Sequence, residues 1–239
     1  MASSSQSSQL QPVNQAPALS QPSWLRPLLA ACIILAPLSI TLYLLAWTDT
    51  GRQPLVSAAM AGATGNTLRL IGAVAASFFL PLGYLAMSLL GMRRMPGLAT
   101  ICAALSLVGW IPWAALIVLD DLAITIDQTG NTPQLTALWT HLNDDPYMTA
   151  FLLIYVIGHL LSAVLIGYML GRLRVIPVWT AWAFALSSLA TILIFPIHND
   201  VVQETLKYLV CALLFIGAIP ADRLRRSGLL VSLLQWFSP

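Results

Sequence analysis

Charge is what this chain has least of. Asp, Glu, Lys and Arg make up only 8% of its 239 residues, where an ordinary soluble domain has about a quarter. Hydrophobic residues make up 58%, and the mean hydropathy is +0.81. That balance excludes an ordinary soluble domain and suits one compact membrane domain of this length. Lysine is reduced to Lys207 alone. The eleven Lys and Arg are dispersed through short turns, with no basic patch interleaved with aromatics. No nucleic-acid partner is therefore expected. Cysteine is scarce too. Cys32, Cys102 and Cys211 lie in three different apolar runs without CxxC or Cys-His spacing. They read as small packing residues, not as a disulfide framework or a zinc site. Complete catalytic motifs are missing: there is no HExxH, HxxxH or GxSxG.

What is present is a succession of apolar runs. Residues 1–23 are rich in Ser, Gln, Pro and Ala and carry no charge. They bury too little apolar surface to offset ordering entropy, and read as a disordered cytoplasmic tail. They lack the basic start of a secretory signal, and the run that follows is too long for one, so no cleavage is expected. Six stretches then follow: Trp24–Ala46, Leu68–Met92, Gly97–Leu119, Met148–Gly171, Ile176–Ile197 and Thr205–Ile219. Most approach the ~20 residues that cross a ~30 Å hydrocarbon core. Within lipid they must be helices, because an open strand edge leaves backbone groups unsatisfied. Trp24 and Trp47 flank the first run as interfacial anchors would. Pro37, Pro81 and Pro112 fall inside spans and should kink them.

The few charges are sorted by side. Arg26, Arg93, Arg94, Arg172, Arg174, Arg223, Arg225 and Arg226 fall on one side, with Asp222 as its only carboxylate. The other side has Arg52, Arg69 and Lys207 against Asp49, Asp120, Asp121, Asp127, Asp144, Asp145, Asp200 and Glu204. Positive residues flanking spans stay cytoplasmic, so both termini read as inside. The expected fold is an all-α, six-helix integral membrane bundle of the plasma membrane, covering residues 24–221. Residues 222–239 open with three Arg and continue with Leu, Trp and Phe. They read as a cytoplasmic amphipathic tail near anionic head groups.

Two hairpins resemble each other. Leu90-Gly91-Met92-Arg93-Arg94-Met95-Pro96 joins spans two and three, and Leu170-Gly171-Arg172-Leu173-Arg174-Val175-Ile176-Pro177 joins spans four and five. Ala104-Leu105-Ser106 then matches Ala185-Leu186-Ser187, and Asp120 falls opposite Asp200, at an offset of 80 or 81 residues. A duplicated hairpin would make a parallel repeat about an axis along the membrane normal. Any two inward hairpins also want Gly, basic residues and Pro at such turns, so both origins stay open.

Two sets of residues could carry chemistry. Tyr155, His159 and Ser162 share one face of the fourth span, and polar groups there should face the bundle interior. They could serve as a ligand contact, a proton relay or a haem ligand, although no second His lies at matching depth for bis-His ligation, and the favoured reading is a structural His hydrogen-bonded across helices. Gly158 and Ser162 form a small-xxx-small pair that permits close helix approach. The second set is external: Asp120, Asp121, His141, His198 and Asp200. His with carboxylates could hold a divalent metal, although the spacing is nonspecific. The loop from Asp120 to Tyr147 contains five carboxylates and no Lys or Arg, which also describes a hydrated acidic loop. Asp144, before Pro146, could help begin the fourth helix. Arg69 could pair with an external carboxylate or snorkel to the interface, with snorkelling the favoured reading.

From Trp24 to Ile219 this layout resembles small bacterial multi-spanning membrane proteins of unknown function. The resemblance rests on the layout, and implies neither an activity nor a functional residue. Three functions fit the residues. The favoured one is a non-enzymatic, partner-binding or regulatory membrane subunit, with no cofactor, whose partners are the lipid bilayer and other membrane proteins. The second is a small transporter or ligand carrier with a polar cavity at His159. The third is a membrane-embedded metal-dependent hydrolase using the external set. A carrier requires a cavity reaching His159, a scaffold requires a closed bundle around it, and a hydrolase requires His198 and carboxylates to converge.

Overall fold

The computed structural model describes residues 25–47, 54–194, 202 and 204–214. All regular structure among them is helical. The helices are α1 (Leu25–Ala46), α2 (Pro54–Leu90), α3 (Pro96–Trp110), α4 (Trp113–Thr129), α5 (Pro133–Asn143), α6 (Pro146–Arg172) and α7 (Val178–Ile194). Residues 204–214 form a further helix. Among the described residues, four stretches are long and apolar enough to cross a membrane: Pro27–Ala46, Pro54–Leu90, Pro96–Thr129 and Pro146–Arg172. Val178–Thr191 is apolar but shorter. The expected tails, 1–23 and 222–239, lie outside the described residues, as do His198 and Asp200.

Several boundaries differ from the sequence expectation. The second span begins at Pro54 rather than Leu68, so α2 runs for 37 residues. It is interrupted at Gly62, whose φ of 64° is a left-handed value that glycine adopts without a side-chain clash. The third span is two helices, α3 and α4. Pro112 has no N–H to donate and its ring blocks the preceding turn, so the ladder restarts, with Ala115 and Leu116 donating to the Pro112 carbonyl. By contrast, helix continues through Pro37 and Pro81. The long acidic loop is not a loop. Its first part extends α4 to Thr129, and α5 occupies most of the rest. Thr132 caps α5 by accepting from the Leu135 N–H. Asp145, not Asp144, caps α6 by accepting from the Tyr147 N–H at 2.8 Å.

Small residues set the helix adjacencies. Gly72 lies against Tyr43 and Gly83 against Cys32, so α1 and α2 pack antiparallel. A Cβ on Gly72 would stand 2.5 Å from the Tyr43 nitrogen. α3 and α6 cross with their backbones touching at Gly109 and Gly158, where a Cβ on Gly158 would stand 2.6 Å from the Gly109 Cα. The small pair read from the sequence in α6 therefore supplies one half of this crossing, and Gly109 supplies the other. The two hairpin turns close differently. Met95 N–H bonds to Gly91, whereas Val175 N–H reaches Leu170 and Arg174 takes a left-handed φ of 53°. Arg93, Arg94, Arg172 and Arg174 are all exposed at this end of the bundle.

At the opposite end, the first turns of α2, the second half of α4 and α5 build a small apolar core of their own. Leu55, Ala123, Ile126 and Trp139 form it. The Trp139 Nε1–H donates to the Leu119 carbonyl at 3.0 Å, which ties α5 onto α4.

Candidate functional site

Two groups of buried polar side chains stand out among the described residues. The first is at the α5 end of the bundle. Arg69 is 5% exposed and Asp120 is 7% exposed. Arg69 Nε and Nη2 donate to the same Asp120 Oδ2 at 3.0 and 2.9 Å. Tyr43 completes the group: its hydroxyl donates to Asp120 Oδ2 at 2.9 Å and accepts from Arg69 Nη2 at 2.6 Å. Arg69 Nη1 donates to the Tyr43 carbonyl at 3.2 Å. The guanidinium also lies 3.8 Å from the Tyr43 ring centroid and 3.7 Å from the Trp47 ring. Arg69 therefore does not snorkel. It pairs with a carboxylate and faces two aromatic rings, which suits a delocalised, weakly hydrated cation.

Trp47 extends this network. It is 1% exposed, so it is an internal joint rather than the interfacial anchor expected of it. Its Nε1–H donates to Asn66 Oδ1 at 3.0 Å, and Asn66 Nδ2 donates to the Ala58 carbonyl at 3.0 Å. Its carbonyl, just past the end of α1, accepts from Lys207 Nζ at 2.7 Å. A cation there complements the helix C-terminus. Lys207, fully buried, also pairs with Glu204. Both described cations of the acidic side are thus internal.

The second place surrounds His159. As expected, Tyr155, His159 and Ser162 face the interior and are buried. The Tyr155 and His159 rings stack at 5.3 Å with an interplanar angle of 11°. Trp110 lies 4.9 Å from the imidazole and Tyr84 lies 6.3 Å from it. Trp113 touches Trp110 and Tyr155, and Tyr43 touches Trp113 at 5.0 Å. Aromatic contacts therefore run unbroken from the ion pair to His159. Ser162 donates to the His159 carbonyl of its own helix, and the Tyr84 hydroxyl and Ser188 lie 3.3 Å apart. Among the described residues, His159 Nδ1 and Trp110 Nε1 have no hydrogen-bond partner.

The external set is not gathered in the same way. Asp120 points inward to Arg69, while the next residue, Asp121, is exposed. His141 is exposed on α5, in an open groove with Asn131, Thr136, Thr140 and Asp144. No group of three His, Cys, Asp or Glu suited to a metal occurs among the described residues.

Sequence reasoning missed Tyr43, Tyr84, Trp110 and Trp113, and the partner of Arg69. One signal for the pair was present. Arg69 lies 24 residues before Arg93, and Asp120 lies 26 after Arg94. Opposite charges equally far from a tight turn stand at equal depth in a hairpin. No protein-family model, curated protein or solved structure matches this chain.

Proposed function

We propose that this chain is a six-span integral membrane protein with both termini in the cytoplasm, and that it works as a non-enzymatic, partner-binding or regulatory subunit. The sorted Arg residues support this orientation, since the exposed Arg93, Arg94, Arg172 and Arg174 all occupy one end. The observation that carries the functional reading is the enclosure of His159. At 5% exposure it is walled by Tyr84, Trp110 and Tyr155, as a closed bundle requires and an open carrier does not. Asp120 supports it as well, because its charge is already balanced by Arg69 inside the bundle.

Chemical access tests this reading. Diethyl pyrocarbonate applied to either side of sealed proteoliposomes should leave His159 unmodified, with exposed His141 reacting as the control. Modification of His159 from one side would instead favour a carrier. That second reading has its own support: among the described residues, His159 Nδ1 and Trp110 Nε1 are neighbouring buried polar atoms without a hydrogen-bond partner, which a ligand could engage.

A further inference from the structure

Arg174 occupies an unfavourable backbone position at the basic end of the bundle. It follows α6 in a closed cap: its N–H donates to the Gly171 carbonyl and the Val175 N–H to the Leu170 carbonyl, both at 3.1 Å. That pattern puts Arg174 where helices commonly end in glycine, at a φ of 53° that disfavours a side chain. A cation that only set the orientation of the chain, or faced the helix C-terminus, could stand elsewhere in the turn, as Arg172 already does. Arg172 and Arg174 are both exposed, and among the described residues no carboxylate pairs with either. From Pro146 to Asn199 the chain has no Asp or Glu.

The next helix presents two indoles beside this turn. Trp179 and Trp182, at the start of α7, are 61% and 53% exposed, and Leu186 and Leu189 continue the same face at 49% and 39%. These four recur at i, i+3, i+7 and i+10, and every residue between Trp179 and Leu186 other than Trp182 is buried. A narrow stripe of α7 therefore faces outward. Its depth is set by α6. A Cβ on Gly167 would stand 2.7 Å from the Ala181 carbonyl oxygen, and one on Gly171 would stand 3.2 Å from the Ala181 Cβ. Ala181 is thus level with the last turn of α6, which ends at Arg172, and the two Trp flank it. From Trp179 to Leu189 the helix rises about 15 Å, half of a ~30 Å hydrocarbon core.

We propose that the α6–α7 turn and the outer stripe of α7 bind an anionic phospholipid. Arg172 and Arg174 take the headgroup phosphate, since a guanidinium offers paired donors to phosphate oxygens. Trp179 and Trp182 supply N–H donors at the ester level, and an acyl chain lies along Leu186 and Leu189. Charge identifies the occupant: two exposed cations without a described carboxylate call for an anion, and the apolar stripe below them calls for an anion with an acyl chain. The proposal rests on the reading of the chain as membrane-spanning.

The full chain in detergent would be given equal amounts of phosphatidylglycerol and phosphatidylcholine, and the retained lipid read by native mass spectrometry. Phosphatidylglycerol should be retained at least about fivefold over phosphatidylcholine. The variant Arg172→Gln, Arg174→Gln should abolish that preference. Arg93→Gln, Arg94→Gln removes equal charge at the same end and should keep it. Trp179→Leu, Trp182→Leu keeps every charge, decides the matter should the Arg172 and Arg174 variant not fold, and should roughly halve the preference. No preference in the parent chain overturns the proposal. An equal loss in both Arg variants overturns it in favour of diffuse attraction to this end. An unchanged preference in the Arg172 and Arg174 variant or in the Trp variant overturns the site as built. Displacement of the lipid by soluble glycerol phosphate overturns it in favour of a free anion. A chain that stays monodisperse without detergent would sink the membrane-spanning reading itself.

Discussion

The Arg69 network and the His159 chamber both bury polar side chains, but they treat them in opposite ways. Around Arg69, Asp120 Oδ2 alone accepts three hydrogen bonds, and aromatic rings face the cation. Around His159, the aromatic rings are present but hydrogen bonds to Nδ1 are not, among the described residues. The difference teaches where stability resides. A paired buried charge cannot lose one partner cheaply, whereas a buried ring whose Nδ1 has no partner among the described residues can be replaced by an apolar ring of like size. The first region is a joint between α1, α2, α4 and the helix at 204–214. The second is packing around one imidazole.

The largest expected effect falls where the helices that shape the chamber touch. In Gly109→Leu, the first added carbon would stand 2.5 Å from the His159 backbone nitrogen, which cannot swing aside. The cost should exceed the roughly 1–3 kcal/mol of ordinary overpacking, seen as loss of folded protein in detergent on size-exclusion chromatography. A well-folded variant would show that the α3–α6 crossing is looser than described.

Breaking the joint comes next. Asp120→Ala leaves Arg69 buried without its carboxylate and should cost roughly 3–5 kcal/mol in reversible unfolding followed by tryptophan fluorescence. The double variant Arg69→Met, Asp120→Leu should regain most of that loss. A single variant within error of the parent would make the pair incidental. Trp47→Phe keeps a ring beside Arg69 but strands Asn66 Oδ1, and should cost about 1–3 kcal/mol in the same titration.

The smallest effect sharpens the comparison most. His159→Phe should shift stability by less than about 1 kcal/mol in either direction, because it removes a buried nitrogen without a partner. A loss as large as that of Asp120→Ala would mean that the imidazole is held by a polar partner, and the two regions would then be alike.

Much of this was legible in the sequence, residue by residue. The inward stripe of Tyr155, His159 and Ser162 follows from helical spacing in an apolar run, and the structure buries all three. The close approach at Gly158 was equally readable, because a glycine in an apolar helix invites contact. The Asp120–Tyr147 segment was misread as a loop because its acids suggested hydration, yet Leu135 and Trp139 recur at i and i+4 and close an apolar core. Trp47 was misread because its place at the end of a span suits an interfacial anchor as well as a buried joint.

Along the chain alone, apolar length and composition determine that the protein is helical and that it has stretches suited to a bilayer, and the two tight turns place Arg93, Arg94, Arg172 and Arg174 at one end of the bundle. These are one-dimensional properties, because each helix satisfies its own backbone bonds. Only the tertiary structure decides that Arg69 meets Asp120 between Tyr43 and Trp47, and that His159 is enclosed by Trp110 and Tyr84. Those meetings depend on how each helix is rotated and which neighbour it touches. Backbone contacts at Gly72, Gly109 and Gly158 set both, and they exist only once the helices pack together.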